Sequence, residues 1–202
     1  MVVPPNILEG LRTFVVKNLG HYVDLLAESV EIPSVSARGE GIEDAADFVA
    51  RELRKRGFEV EVGSSGGHPI VLGVLGGRGR RSVLIYNHYD VQPPEPLEEW
   101  LSDPFRLTRR GNLLVARGVA DNKGNIIARL AAIDALHDVL GDVPLTVKFI
   151  VEGEEEIGSP TLHSFVKQRA EVFRAMAVYG RQVTCLRMGG SSYTWASRAC
   201  ST

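Results

Sequence analysis

Short apolar runs of strand length alternate along the chain with segments whose apolar residues recur at helical spacing. The helical segments are residues 6–31, 41–56, 123–140 and 161–170. The strand-like runs are residues 58–62, 69–75, 81–90 and 144–151. Helices that alternate with buried strands are typical of a sheet covered on both faces. We therefore predict an α/β domain with a mostly parallel sheet flanked by helices.

The breaks between these segments give finer predictions. Residues 6–31 read as one long amphipathic helix that Pro33 ends, and Gly57 fits the position just past the end of the second helix. The run GGRGRR, residues 76–81, favours a hairpin turn because it lacks the Lys-Ser/Thr pair of a phosphate-binding loop. A second hairpin is expected to turn at residues 111–112.

Charge and composition exclude some partners. The chain has 202 residues, a net charge of −2 and 44% hydrophobic residues, so it can build a core and has no excess of positive charge for nucleic acid or anionic membranes. No apolar stretch approaches the roughly 20 residues that span a bilayer. The N-terminus does not have the pattern of a signal peptide, and two cysteines make no disulfide framework, so a cytoplasmic location is the expectation.

Two polar clusters follow predicted strands or precede a helix. In YNHYDVQP, His88 ends an apolar strand and Asp90 lies two residues further on, close enough to orient the imidazole. An incidental histidine at a strand end is an equal alternative for this motif alone. In RGVADNKGN, Asp121 precedes a predicted helix, and a helix N-cap is the simpler reading when the motif is considered alone.

A third cluster is strongly acidic. The strand VKFIV leads into EGEEEIGS, which contains Glu152, Glu154, Glu155 and Glu156. A solvated acidic turn is the simpler reading, but ligands bind α/β sheets at the carboxyl ends of their strands. One imidazole and several carboxylates suit Zn²⁺ or a similar divalent ion, whose charge would offset the repulsion among the glutamates.

The motifs NHYDVQP, GVADNKG and EGEEEIGS, in this order and spacing, resemble the zinc amidohydrolase/peptidase family of aminoacylase, carnosine dipeptidase, glutamate carboxypeptidase and succinyl-diaminopimelate desuccinylase. The dipeptidase-like branch is the most similar. The resemblance implies that His88 binds one metal ion, Asp121 bridges two ions and Glu156 binds the second. It also implies that Glu155 is the general base and that Asp90 orients His88.

The resemblance implies further properties. The fold is the N-terminal part of a zinc-peptidase-like catalytic domain, and a cis peptide bond is expected after Asp121. Two divalent ions are expected, zinc first, with cobalt or manganese as alternatives. The reaction is metal-dependent hydrolysis of a peptide or N-acyl amide bond, and the substrate is a small peptide or N-acyl amino acid. The oligomeric state stays open, with a homodimer as one option for the full-length form.

The chain also departs from the family pattern. Residues 1–178 read as a partial catalytic domain, and residues 179–202 as an atypical tail for which we hypothesise translation out of frame. A further carboxylate ligand, a final histidine ligand and a lid or dimerisation domain are not visible in the sequence. We therefore expect weak or absent activity from this chain. One alternative is a truncated, non-catalytic relative that binds metal or peptide, and another is a structural domain with no metal dependence.

Overall fold

The computed structural model describes residues 3–174 and 177–179 of the chain. The helices are α1 (Pro5–Lys17), α2 (Leu19–Glu31), α3 (Ile42–Lys55), α4 (Gly124–Leu140) and α5 (Leu162–Gln168). The strands are β1 (Glu59–Gly63), β2 (Ile70–Leu75), β3 (Ser82–His88), β4 (Thr108–Arg110), β5 (Leu113–Val115), β6 (Thr146–Glu152) and β7 (Ala177–Tyr179). Nearly all of the tail for which a frameshift is hypothesised lies outside the described residues.

Five strands form one sheet in the order β1-β2-β6-β3-β7, and β4 and β5 form a separate pair. Strand β3 is parallel to both β6 and β7, whereas β2 is antiparallel to both β1 and β6. The predicted α/β class with flanking helices is confirmed, but the sheet is mixed rather than mostly parallel. The reason is that a short loop joins β1 to β2, whereas the parallel pairs have helical crossovers, α4 before β6 and α5 before β7.

Two local predictions need correction. The expected helix over residues 6–31 is two helices, because Asn18 leaves helical geometry at φ −102° and ψ 8° and its side-chain amide donates to the carbonyl of Phe14 at 2.8 Å. Residues 76–81 do not form a hairpin turn, because β6 lies between β2 and β3. The hairpin at residues 111–112 is confirmed by the antiparallel pairing of β4 with β5, and Gly57 ends α3 with a positive φ of 82°.

The core lies on both faces of the sheet because apolar side chains alternate along the central strands. On one face, α2, α3 and α4 cover Val71, Val147, Phe149 and Val151, and Phe149 meets Phe58 edge to face at 5.6 Å between ring centroids. On the other face, α5 and the segment after it cover a smaller cluster: Ile70, Leu72, Leu84, Ile150, Leu162, Phe165 and Phe173.

This arrangement sets the ends of β3 and β6 side by side. The two strands run parallel in register, and His88, the last residue of β3, pairs with Glu152, the last residue of β6. The polar segments that follow both strands therefore emerge at one edge of the sheet. None of the described helices is long and apolar enough to cross a bilayer.

Candidate metal centre

His88 is fully buried at the end of β3. Its Nε2 atom lies 3.0 Å from Oδ1 of Asp121. Its Nδ1 atom lies 3.2 Å from Oδ1 of Asp90 and 3.1 Å from the carbonyl oxygen of the same residue. One ring nitrogen is thus fixed by Asp90, and the other is directed at a carboxylate of the second motif.

Opposing effects act on the pKa of His88. Burial favours the neutral ring, but hydrogen bonds to Asp121 and Asp90, together with the charges of Asp90 and Glu155, raise the pKa to about 10. Without a metal ion, the imidazole is therefore protonated at neutral pH and pairs with these carboxylates. A metal ligand must be deprotonated, so a divalent cation bound here would replace that proton.

Asp121 lies in the kinked turn Val119–Lys123, which leads directly into α4. Its φ of −134° and ψ of 92° are not helical, and the Asp121–Asn122 peptide bond is cis, as the resemblance implies. Helix α4 has Lys123 at its N-cap and no side-chain cap hydrogen bond. The structure therefore does not give Asp121 the capping role that was its alternative interpretation.

Lys123 anchors this turn to the C-terminal end of α2. Its ammonium group donates to the carbonyl oxygens of Ser29 at 2.7 Å and Ile32 at 2.5 Å. A cation is stabilising at the carboxyl end of a helix. Burial lowers the pKa of Lys123 to about 7, with the charge of Asp90 acting in the opposite direction. Sequence reasoning missed this residue, although it belongs to the same motif as Asp121.

Glu155 and Glu156 are the members of the acidic cluster that join His88. One ligand atom from each of these three residues lies within 4.8 Å of the others, and Glu155 Oε2 is 3.8 Å from His88 Nε2. Within the described part of the chain, no other group of three or more His, Cys, Asp or Glu side chains lies close enough to share an ion. Asp121 is not a member of this group, although its carboxylate contacts His88 Nε2 at 3.0 Å. The group therefore joins residues of two motifs, and the third motif adjoins it at His88.

Asp90 and Gln92, in the segment that follows the neighbouring strand β3, form hydrogen bonds with the two glutamates. The backbone N–H groups of Glu155 and Glu156 donate to the two carboxylate oxygens of Asp90, at 3.3 and 3.0 Å. The Gln92 amide donates to both the carbonyl and the carboxylate of Glu156, at 2.9 and 3.0 Å. Asp90 therefore links the imidazole to the acidic pair. Sequence reasoning predicted only its contact with His88 and missed Gln92, which lies in the same motif.

The pKa of Glu156 is raised, and burial is the largest cause. The hydrogen bond from Gln92 and the charge of His88 lower it, whereas the charges of Asp121 and Glu155 raise it. The carboxylates around Glu156 disfavour its charged form, and a bound cation would offset that repulsion.

The other two glutamates have different partners. Glu152 accepts hydrogen bonds at Oε1 from the Tyr86 hydroxyl at 2.5 Å and the Ser159 hydroxyl at 2.8 Å. Glu154 accepts a hydrogen bond from the backbone N–H of His68 at 3.1 Å. The expectation that cations offset the repulsion among all four glutamates therefore applies to only two of them. One partner of each, Tyr86 for Glu152 and His68 for Glu154, is distant in sequence, so sequence reasoning could not separate the pairs.

The donor set fits a divalent cation. It contains one imidazole and three carboxylates at the carboxyl edge of an α/β sheet, and zinc, cobalt and manganese accept such mixed nitrogen and oxygen ligands. The imidazole has the carboxylate partner on its second nitrogen that metal-bound histidines have. Fold and site together define an α/β protein with a candidate divalent-metal centre.

Comparisons with known proteins agree with this class. Residues 84–187 match the sequence pattern of Peptidase family M20/M25/M40. The match covers half of the chain, and the chain belongs to this family.

Individual relatives are similar over most of the chain. The Cys-Gly metallodipeptidase dug1 of Schizosaccharomyces pombe is 38% identical in an alignment 188 residues long that covers 84% of this chain and 39% of that protein. The structure of an M20 family metallo-carboxypeptidase, Sso-CP2 from Sulfolobus solfataricus, superimposes with a TM-score of 0.76 at 37% identity, over 79% of this chain and 37% of that one. Human carnosine dipeptidase 1 gives a TM-score of 0.79 at 30% identity, over 85% and 40% of the two chains. The chain spans about two fifths of these relatives.

Proposed function

We propose that this chain forms the metal-binding part of a dipeptidase-type hydrolase that uses two divalent ions to cleave peptide or N-acyl amide bonds. The observation that carries the proposal is that His88, Glu155 and Glu156 lie close enough to share an ion, with Asp121 in contact with His88 at the same sheet edge. These residues come from three separate motifs, and a solvated acidic turn gives no reason for a buried imidazole among them.

Each side chain has a role in the proposal. His88 and Glu156 would each hold one ion, and Asp121 would be a ligand to both. Bound divalent ions supply Lewis-acid activation of a water molecule and of the scissile carbonyl. Glu155 accepts a proton from the water and delivers it to the leaving amine. Asp90 holds the imidazole of His88 in the tautomer that leaves Nε2 available.

The substrate class is inferred from the relatives. A metallodipeptidase and a carnosine dipeptidase are among them, which supports a small peptide as substrate. N-acyl amino acids remain within the proposal because the same chemistry cleaves their amide bond. Zinc is the proposed ion, and cobalt and manganese suit the same ligands. The activity of the whole protein is part of the proposal because the chain spans 39% of the dug1 relative.

The test combines metal content with thermal unfolding. A ligand that binds only the folded state raises the unfolding temperature by mass action. We expect Zn²⁺ to raise it for the wild type and for Glu9→Gln, an exposed control on α1, but much less for Glu156→Gln. Two ions per chain and a Glu155-dependent hydrolysis of dipeptides would support the catalytic proposal.

Other outcomes favour the alternatives. His88-dependent binding of only one weak ion per chain would favour a non-catalytic, metal-binding relative. A wild-type unfolding temperature that does not respond to Zn²⁺, Co²⁺ or Mn²⁺ would contradict a metal centre and favour a structural domain.

A further inference from the structure

Glu154 directly precedes the candidate base Glu155 but makes its own contacts away from His88. Its side chain is buried and accepts hydrogen bonds from the backbone N–H of His68 at 3.1 Å, the backbone N–H of Thr161 at 3.3 Å and the Thr161 hydroxyl. All three are donors, so this carboxylate is satisfied without a cation.

The backbone of Glu154 also forms hydrogen bonds within the segment that follows β6. Its carbonyl oxygen accepts the N–H groups of Ile157 at 3.2 Å and Ser159 at 2.7 Å. Five hydrogen bonds therefore meet at one residue. They fasten the segment that carries Glu155 and Glu156 to the β1–β2 loop on one side and to the start of α5 on the other.

Gly67, in the β1–β2 loop, lies against the carboxylate of Glu154. A Cβ atom added at Gly67 would lie 2.0 Å from Oε1 of Glu154, so any side chain there must displace the carboxylate. Gly67 does not have a positive φ, so a side chain there does not meet the strain of a left-handed backbone. The obstacle to a side chain at this position is the close contact with Glu154.

We propose that Glu154 is a positioning residue of the metal centre, which holds the Glu155–Glu156 segment in its ligand geometry before a cation binds. The five hydrogen bonds of Glu154 are called the brace below. The inference rests on the proposed function, because it gives the brace a role in metal binding. Its physical basis is preorganisation: an unbraced loop must be ordered when the ion binds, and this ordering costs conformational entropy that a braced loop has already lost.

Two substitutions disturb the brace in different ways. Glu154→Gln keeps the shape but replaces one acceptor oxygen with an amide that faces an N–H donor. Gly67→Ala leaves the carboxylate and its charge but displaces it. Controls are Glu9→Gln, which removes an exposed charge, and Gly76→Ala, at an exposed glycine with no atom within 4 Å of the added Cβ.

The measurement is Co²⁺ titration, followed by calorimetry and by visible absorption, at a temperature where near-ultraviolet circular dichroism shows each variant to be folded. We expect Glu154→Gln and Gly67→Ala each to weaken Co²⁺ binding by about tenfold, the lower end of the range for residues that orient ligands. Their Co²⁺ spectra should change in intensity, and both controls should match the wild type.

The outcomes separate the inference from the proposed function. Unchanged Co²⁺ affinity and spectra in both variants, even with lower melting temperatures, would overturn the positioning role and leave the metal centre intact. If Glu154→Gln does not fold, Gly67→Ala decides by the same criterion. A wild type that binds no Co²⁺, or binds it regardless of Glu156→Gln, would overturn the proposed function and this inference together.

Discussion

The buried carboxyl group of Glu152 predicts a pH-dependent difference between the wild type and Glu152→Gln. Burial raises the pKa of Glu152 from 4.5 to about 7, against the hydrogen bonds from Tyr86 and Ser159, which lower it. Both donors use Oε1, and no hydrogen-bond partner for Oε2 is found in the described part of the chain. A protonated Glu152 and a glutamine therefore make the same contacts.

The sign follows from proton linkage. The folded-state pKa lies above the unfolded value, so the contribution of Glu152 to stability is fully present below pH 4.5 and is lost as the pH rises through about 7. Each pKa unit corresponds to about 1.4 kcal/mol, which gives an upper bound of about 3.5 kcal/mol for this shift. Glutamine does not titrate. We therefore expect Glu152→Gln to match the wild type near pH 4.5 and to gain on it progressively as the pH approaches 7.

Urea unfolding of both proteins in the presence of a chelator, at pH values from 4.5 to 7.5, measures this difference. The chelator removes bound cations, which could otherwise offset the charge of the carboxylate. A free-energy difference that stays constant over this range, or that favours the wild type increasingly as the pH rises, would refute the assignment of a neutral buried carboxyl group.

Three further predictions concern the core, a buried ion pair and the metal centre. Phe149→Ala removes a fully buried ring that contacts Phe58, and we expect it to lower the free energy of unfolding by about 3–5 kcal/mol in urea; a loss below about 1 kcal/mol would contradict the packing. Asp134→Ala leaves the largely buried guanidinium of Arg56 without one of its two carboxylate partners, and we expect a loss of about 1–3 kcal/mol in the same assay; an unchanged midpoint would show that the pair does not contribute. Gln92→Ala removes both hydrogen bonds to Glu156, so Zn²⁺ affinity measured by calorimetry should fall by about tenfold, and an unchanged affinity would exclude a role in orienting that ligand.

The sequence predicts the approach of the candidate ligands better than it predicts the hydrogen bonds of the neighbouring glutamates. His88 and the Glu155–Glu156 pair follow apolar strands, and the carboxyl ends of neighbouring parallel strands share one edge, so their approach could be expected. The partners of Glu152 and Glu154 could not be expected, because Tyr86, the β1–β2 loop and the start of α5 are brought to them by the tertiary fold.

The fold shows the same division. Helical and strand periods identify the elements, because they depend on residues close in sequence. The position of β6 between β2 and β3 depends on pairing between distant segments, and the run GGRGRR contains no sign of it. The break between α1 and α2 lies at Asn18, whose side-chain amide donates to the Phe14 carbonyl, and the spacing of the apolar residues gives no sign of it.

The central claim is that residues of three motifs share bound divalent ions. A crystal structure of the chain grown with Zn²⁺, with data collected at the zinc absorption edge, tests it most directly. We expect two peaks of anomalous density, one about 2.0–2.2 Å from His88 Nε2 and the other about 2.0–2.2 Å from a carboxylate oxygen of Glu156. The Asp121 carboxylate should lie between the two peaks. Density confined to other parts of the surface, with His88 still paired to Asp121 in the presence of saturating Zn²⁺, would contradict it.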